Sequence, residues 1–292
     1  MNAYLAADGF LDELRTELGD AVVAVHGRLV LAETGRDAAW AANTWHDPVE
    51  IAIRSVADGA RRLRDLQRNW ALYAFTLHRR AALIEAALPP VSARPLAFPA
   101  PAPEAPLGSW TLLAPDRILA APRCQSPFRH GEAAFVEDRE GPPSRAYLKL
   151  WELFTRLGAR PGPGDLCADL GASPGGWTWV LGGLGARVVA VDKAPLDPRT
   201  AALPGVEERR ESAFGVEPFD VDWLFSDVVC YPARLLALVE RWLPRARNLA
   251  CTIKFQGPTD HDAARAFAAI PGSKLMHLHH NRHELTWCLV RE

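Results

Sequence analysis

The stretch "DLCADLGASPGGWTWVLGGLGARVVAVDKAP", residues 165–195, decides the architecture of the second half of the chain. An apolar run ends at Gly171, a glycine-rich turn and a short apolar segment follow, and a second apolar run ends at Asp192. This order is typical of a strand, a helix and a second, parallel strand. Ligands of such sheets bind beyond the carboxyl ends of the strands. We therefore expect the glycine turn to contact a ligand.

The same alternation continues to the end of the chain. Apolar runs predict strands at 165–171, 187–192, 221–227 and 249–255. Amphipathic spacing predicts helices at 144–157, 175–184, 232–242 and 260–269. The last twenty residues, "SKLMHLHHNRHELTWCLVRE", predict two strands joined by a turn near Asn281. These patterns indicate an α/β domain over 126–292, with a doubly wound, mostly parallel sheet and a C-terminal antiparallel hairpin.

The first part of the chain predicts a smaller α+β domain over 1–88. "GFLDELRTELGD" predicts a helix, and "AVVAVHGRLVLAE" predicts two strands that turn at Gly27. Residues 54–80 predict one arginine-rich helical stretch. The proline-rich run that follows cannot sustain a helix or a central strand. We therefore expect 89–125 to be a linker with one or two returning strands.

Composition excludes several classes of protein. Hydrophobic residues make up 49% of the chain and the formal net charge is −2, which indicates a globular protein and argues against a wholly electrostatic nucleic-acid binder. Five scattered cysteines include no Cys-x-x-Cys pair, so we expect reduced thiols and no metal site. No apolar run approaches the ~20 residues of a membrane helix. We expect a cytoplasmic protein without a membrane partner.

The glycine turn differs from the dinucleotide pattern Gly-x-Gly-x-x-Gly. Gly171, Gly175 and Gly176 allow a ligand to approach the backbone closely. Ser173 stands where the second glycine of that pattern would be, and Pro174 lacks an amide donor, so a pyrophosphate is poorly supported. S-adenosylmethionine needs only a glycine turn and an acid at the next strand end, where Asp192 could accept both ribose hydroxyls. An oxidoreductase that uses NAD is the alternative.

Four ionisable residues are predicted near the same edge of the sheet. Asp227 follows one apolar strand and Lys254 ends another, where a buried ammonium group is costly unless it is paired. Glu284 begins the last strand, and Lys149 lies on an amphipathic helix. Each alone has a structural explanation as a helix cap, a strand end or a helix-surface lysine. Together with the glycine turn they favour a functional site.

The segments "PSRAYLKL", "DLGASPGGW", "SDVVCYP", "IKFQG" and "NRHELTW" occur in an order and spacing that resemble the FtsJ-type ribose 2′-O-methyltransferases. Within them, the RlmM-like enzymes of 23S ribosomal RNA are most similar. The resemblance implies a Rossmann-like methyltransferase sheet, S-adenosylmethionine as cofactor and a catalytic tetrad of Lys149, Asp227, Lys254 and Glu284. It also implies that the cofactor contacts Gly171, Ser173, Pro174, Gly175, Gly176, Trp177, Asp192, Glu211 and Asp227. Glu211 is chosen because "RESAF" offers Ser212 and Ala213 where the family often has an acid and a glycine.

In this interpretation Lys254 is the base for a ribose hydroxyl and Asp227 orients it, while Lys149 and Glu284 position the hydroxyl and tune Lys254. Burial and a neighbouring cation both lower the pKa of a lysine toward the range in which it can act as a base. The resemblance further implies a ribosomal RNA partner and a first domain that binds RNA, similar to a THUMP domain. Candidate RNA contacts are Arg61, Arg62, Arg64, Arg68, Arg145 and Arg282.

Several alternatives stay open at this point. The arginines of residues 54–80 are also consistent with a solvated helix face. "HLHHNRH" places His277 and His279 on one strand face and His280 on the other, which does not favour a metal site. The acceptor could be transfer RNA or a molecule other than RNA. A non-catalytic RNA-binding relative would lack some of the tetrad, yet all four positions are filled.

Overall fold

The computed structural model describes residues 1–92 and 94–291, which divide into two compact units. The first unit comprises Met1–Leu96 and Ala102–Ala134. The second comprises Ala97–Pro101 and the residues from Phe135 onward. Within the described ranges, no helix has both the length and the apolar character that crossing a bilayer requires.

Two sheets and three helices build the first unit. Its strands are β1 (Asn2–Ala6), β2 (Val22–His26), β3 (Leu29–Ala32), β4 (Ala41–His46), β5 (Val49–Ala52), β6 (Trp70–Leu72), β7 (Gly108–Ala114), β8 (Arg117–Ala121) and β9 (Arg123–Cys124). Its helices are α1 (Leu11–Leu18), α2 (Val56–Leu66) and α3 (His78–Ala86). The strand orders are β2-β3-β1-β4-β9 and β5-β8-β7-β6. Trp45 and Trp110 are fully buried, one in each of two apolar clusters of this unit.

The single helical stretch predicted over 54–80 is wrong. Helix α2 ends at Leu66, β6 pairs in parallel with β7, and α3 starts only at His78. The indole nitrogen of Trp70 donates to the carbonyl oxygens of Leu63 and Gln67 at 2.9 and 3.0 Å. These bonds satisfy carbonyl groups at the helix end and hold the buried indole against it. The chain therefore leaves the helix at this point and enters a sheet.

The boundary expected at residue 88 also lies elsewhere. Residues 108–124 form β7, β8 and β9, which pair with β6, β5 and β4. These pairings complete both sheets of the first unit. Residues 108–124 therefore belong to this unit and not to a linker. The pairings join residues far apart in the chain, and local composition carries no information about them.

The second unit has one seven-stranded sheet. Its strands are β10 (Leu166–Leu170), β11 (Arg187–Asp192), β12 (Val206–Arg210), β13 (Val221–Ser226), β14 (Ala246–Lys254), β15 (Ser273–Met276) and β16 (Glu284–Leu289). Its helices are α4 (Tyr147–Leu157), α5 (Gly176–Gly183), α6 (Pro198–Ala201), α7 (Pro232–Trp242) and α8 (His261–Ala268). The order is β12-β11-β10-β13-β14-β16-β15, and β16 runs antiparallel to the other six strands. The predicted α/β sheet with a C-terminal antiparallel hairpin is confirmed.

This topology brings the candidate residues to one edge. Gly171 follows β10, Asp192 ends β11, Asp227 follows β13 and Lys254 ends β14. These four strands are parallel, so their carboxyl ends share an edge. Glu284 begins the antiparallel strand β16 and lies directly opposite Lys254 in the register. Reversing this one strand is what places its first residue at the carboxyl edge of the others.

Candidate functional site

A cleft of about 400 Å³ opens at this edge of the sheet. It is lined by residues of the turn after β10, the end of β11, the turn after β13 and the end of β14, together with Ser144 and Ala146. Most of the residues predicted to hold a cofactor lie in the lining, namely Gly171, Ser173, Pro174, Gly176, Trp177, Asp192 and Asp227. Two of the predicted residues, Gly175 and Glu211, are not in the lining.

Gly171 is required where two turns meet. Its φ of +82° is one that side chains rarely adopt, and a Cβ there would lie 2.8 Å from the Cα of Val228. The turn after β10 therefore packs directly against the turn that carries Asp227. Gly175 also has a positive φ, +111°, but a Cβ there would meet Thr200 of α6. Its conformation serves the packing of the turn on that helix.

Asp192 ties the glycine turn to the end of β11. Its Oδ2 accepts a hydrogen bond from the amide of Ser173 at 3.1 Å, and its Oδ1 accepts one from the amide of Ala194 at 3.0 Å. The hydroxyl of Ser173 donates to the carbonyl oxygen of Pro195 at 2.7 Å. These bonds fix the carboxylate of Asp192 at the wall of the cleft.

A smaller pocket of about 210 Å³ shares Gly171, Asp192 and Val228 with the cleft. Its other lining residues are Lys193, Ser212, Ala213, Phe214 and Arg234. The guanidinium carbon of Arg234 lies 3.8 Å from the centre of the Phe214 ring, within the range of a cation–π contact.

Glu211 is exposed and lies outside the lining of this pocket. Its amide donates to the carbonyl oxygen of Arg209 at 3.0 Å, which closes a tight turn directly after β12. The lining of the pocket begins at the next residue, Ser212. Counting back from Phe214 would have identified Ser212 and Ala213 as the lining residues.

The four residues of the predicted tetrad are in mutual contact. Lys149 Nζ lies 3.0 Å from Asp227 Oδ1 and 2.8 Å from Glu284 Oε1. Lys254 Nζ lies 3.1 Å from the same Asp227 Oδ1 and also donates to the backbone carbonyl of Asp227. Asp227 thus lies between two ammonium groups. Asp227 and Lys254 line the cleft, whereas Lys149 and Glu284 lie behind them.

The four side chains are largely buried, so the charges among them interact more strongly than they would in water. Exposed fractions of the side chains are 12% for Lys149, 9% for Glu284, 17% for Asp227 and 20% for Lys254. Burial lowers the pKa of Lys149, but the carboxylates of Asp227 and Glu284 outweigh it and raise that pKa above its usual value. Lys149 is therefore an ammonium ion at neutral pH. The buried face of α4 that holds it includes Leu148, Leu150 and Leu153.

Asp169 is a cleft residue that the sequence interpretation missed. It lies in β10, is 1% exposed and accepts a hydrogen bond from the Thr178 hydroxyl at 2.7 Å through Oδ2. Its Oδ1 is buried without a hydrogen-bond partner among the described residues. Burial raises the pKa of Asp169 to about 7; the Thr178 bond opposes this shift and the charge of Asp227 adds to it. An acid inside an otherwise apolar strand was the available signal.

Four of the six candidate RNA contacts interact with other groups of the protein. Arg61 and Arg62 both contact Asp58, whose pKa falls to about 2 because of the Arg54 amide and then the Arg61 side chain. Arg64 donates to the carbonyl oxygen of Ala87, and Arg145 pairs with Glu137 at 2.8 Å. The remaining candidates are exposed, namely Arg68 and Arg282.

In the histidine-rich segment, His277 contacts the backbone of the turn that precedes β16. Its Nε2 lies 3.0 Å from the carbonyl oxygen of Arg282. In the part of the chain that the structure describes, no group of three or more His, Cys, Asp or Glu side chains could hold a metal ion.

Replacing Gly171 by alanine tests the close packing of the glycine turn against Val228. We expect Gly171→Ala to lower the free energy of unfolding by about 1–3 kcal/mol, because the new Cβ requires a strained φ and collides with the backbone of Val228. Urea denaturation measures it. Gly183→Ala is the matched control, since a Cβ at this exposed helical position meets nothing within 4 Å. The control should be neutral or slightly stabilising, and an equal loss in both variants would contradict the packing described here.

The raised pKa of Asp169 predicts a pH-dependent stability. Between about pH 4 and pH 7 the folded protein keeps a proton that the unfolded chain releases, so the free energy of unfolding decreases as the pH rises through this window. Asp169→Asn removes this titration. We therefore expect the stability of the variant relative to wild type to increase from pH 4 to pH 7, as measured by urea denaturation at fixed ionic strength. A pH-independent difference would show that the pKa of Asp169 is not raised in the folded protein.

Comparisons with known proteins agree with this geometry. Residues 142–234 match the family described as FtsJ-like methyltransferase. A "Ribosomal RNA large subunit methyltransferase M" of Halorhodospira halophila is 40% identical over 157 residues, which are 49% of this chain and 46% of that protein. The proteins of that name from Aromatoleum aromaticum and Azotobacter vinelandii are 36% and 35% identical, over 50% and 59% of this chain and 45% and 54% of theirs.

The chain thus matches about half the length of these curated relatives. Among solved structures, a Plasmodium falciparum chain described as a ribosomal RNA methyltransferase has a TM-score of 0.38 and 14% identity, over 51% of this chain and 97% of that one. Residues 142–234, which match the family, contain Lys149, the glycine turn, Asp192 and Asp227. Residues 142–234 of the second unit are thus similar to the FtsJ-like methyltransferases.

Proposed function

We propose that this chain transfers a methyl group from S-adenosylmethionine to the 2′-hydroxyl of a ribose in large-subunit (23S) ribosomal RNA. The observation that carries the proposal is the buried cluster of Lys149, Asp227, Lys254 and Glu284 at the cleft. The names of the curated relatives support the RNA class. With a ribosomal RNA substrate, the proposed location is the cytoplasm.

The cleft fits this cofactor in size and in charge. Its volume of about 400 Å³ is within the range of small-molecule sites, ~300–1,000 Å³. Gly171 lets the ligand approach the turn, and Asp192 presents a carboxylate to ribose hydroxyls. Oδ1 of Asp169 is buried without a hydrogen-bond partner among the described residues. A cationic ligand in the cleft would supply that partner. When bound, S-adenosylmethionine supplies an electrophilic methyl group on a positively charged sulfur.

The two lysines have different environments and hence different roles. Lys149 lies behind the cleft between two carboxylates and stays protonated, so it is a fixed positive charge. Lys254 lines the cleft, where its neutral amine form would accept the proton of the ribose hydroxyl as the oxygen–methyl bond forms and the sulfur–methyl bond breaks. Asp227 contacts both side-chain nitrogens and orients Lys254. Holding the hydroxyl in line with the methyl group supplies much of the rate by alignment.

The partner RNA would extend beyond the cleft. Arg145 and Arg282 belong to the second unit, are exposed and could contact phosphates beside the reacting nucleotide. Arg61, Arg62, Arg64 and Arg68 belong to the first unit, for which we propose RNA binding in the manner of a THUMP-like module.

Replacing Lys254 separates chemistry from cofactor binding. We expect Lys254→Ala to reduce the rate of methyl transfer about 10²–10⁴-fold, because a general base is lost, and to change the dissociation constant for S-adenosylmethionine less than about threefold. Single-turnover assays and calorimetry measure the two quantities. Lys274→Ala, at an exposed position of β15, is the control and should leave both unchanged. A Lys254→Ala enzyme with the wild-type rate would exclude this role.

The molecule that accepts the methyl group is identified by mapping the nucleotide that becomes labelled. Total RNA from a strain lacking this protein is incubated with the enzyme and methyl-labelled S-adenosylmethionine, and the labelled nucleotide is mapped. We expect the label on a ribose of a large-subunit ribosomal RNA fragment. Label on a base, on transfer RNA alone, or binding of NADH without S-adenosylmethionine in a fluorescence titration would overturn the proposal.

A further inference from the structure

One buried carboxylate of the second unit has no part in the mechanism above. Glu152 lies on α4, one turn after Lys149, and is 0% exposed. A fully buried acid is costly unless its charge is paired and its oxygens accept hydrogen bonds. The contacts of Glu152 therefore show what the fold gains from it.

Both oxygens of Glu152 bind the segment just before β16. Oε1 accepts from the amide of His279 at 2.9 Å, and Oε2 accepts from the amide of His280 at 3.1 Å. The ring Nδ1 of His280 lies 2.8 Å from Oε2, and Nε of Arg156 donates to Oε1 at 2.8 Å. Burial raises the pKa of Glu152, but Arg156 and His280 outweigh it and the pKa lies below its usual value. Glu152 is therefore a carboxylate at neutral pH.

The segment 277–283 is also fastened internally. His277 Nε2 lies 3.0 Å from the carbonyl oxygen of Arg282. The buried Asn281 donates through Nδ2 to the hydroxyl of Thr286 at 3.1 Å and to the carbonyl oxygen of Glu284. These bonds tie the segment to the first residues of β16, so we expect the placement of His279 and His280 to affect the placement of Glu284.

These contacts close a ring. Helix α4 carries Lys149 and Glu152; Glu152 binds the segment 277–283, and that segment leads into Glu284, whose Oε1 lies 2.8 Å from Lys149 Nζ. We propose that Glu152 is a positioning residue, which sets Glu284 against Lys149 by holding the backbone of His279 and His280 to α4. This inference rests on the proposed role of the cluster in methyl transfer.

A double-mutant cycle distinguishes positioning from a general contribution to stability. We expect Glu152→Gln to lower kcat about 10–100-fold, since a displacement of about 1 Å costs that much, with the KM for RNA and the affinity for S-adenosylmethionine within about twofold of wild type. If Glu152 acts through Glu284, adding Glu152→Gln to Glu284→Gln should lower kcat no further than about threefold. Losses that multiply in the double variant would overturn the proposal.

Thr155→Val is the matched control. Thr155 is buried on the same helix and donates only to the carbonyl oxygen of Trp151, so its loss weakens α4 without touching the segment 277–283. We expect kcat to stay within about twofold of wild type. If Glu152→Gln does not fold, His280→Ala keeps the backbone bond to Glu152 and removes the imidazole contact to it, together with the ring contacts to Phe135 and His279, and should lower kcat about 3–10-fold. An unchanged kcat in folded Glu152→Gln or in folded His280→Ala would contradict the inference.

Hydrogen exchange gives a readout that does not depend on the activity. We expect the amides of residues 279–284 to exchange at least tenfold faster in Glu152→Gln than in wild type, and at the wild-type rate in Thr155→Val. Exchange that is unchanged in Glu152→Gln would refute the positioning itself. Faster exchange together with no ribose methylation by the wild-type protein would refute the proposed function and leave the positioning standing.

Discussion

Asp227 shared between two ammonium groups is the interaction on which the site depends. Lys149 and Lys254 both lie within about 3 Å of Asp227 Oδ1, and all three side chains are largely buried. Two buried amines could not remain charged side by side without a carboxylate between them. Glu284 balances the second positive charge from behind. The cluster can therefore be buried beside a cleft and still leave one amine facing it.

The sheet topology makes this sharing possible. Parallel strands deliver Asp227 and Lys254 to neighbouring turns, and the single antiparallel strand delivers Glu284 to the same edge, opposite Lys254. Helix α4 brings Lys149 from outside the sheet. The close approach of Gly171 to Val228 joins the glycine turn to the turn of Asp227. The cleft and the ionised cluster therefore share one edge of the sheet.

The two units differ in how far their structures could be predicted. The second unit consists of long apolar strands and amphipathic helices, whose periodicity is local, and its main elements were predicted close to their observed bounds. The first unit consists of short strands whose partners are distant in the chain, such as β6 with β7. Propensity near Trp70 favoured a continued helix, and a long-range pairing overrode it. The short strand β12, with four charged residues among its five, was missed because it carries no apolar run.

The sequence by itself determined which chemical groups end the strands of the second unit: the glycine turn, Asp192, Asp227 and Lys254, because strand ends and turns are local features. It also placed Glu284 at the start of the last strand and Lys149 on an amphipathic helix, and the resemblance to a family assigned all four ionisable residues to one tetrad. Only the tertiary structure decided that Asp169 keeps a buried oxygen without a hydrogen-bond partner among the described residues, and that Glu152 binds the segment before β16. Burial and hydrogen-bond partners depend on residues far apart in the chain, and no local pattern encodes them.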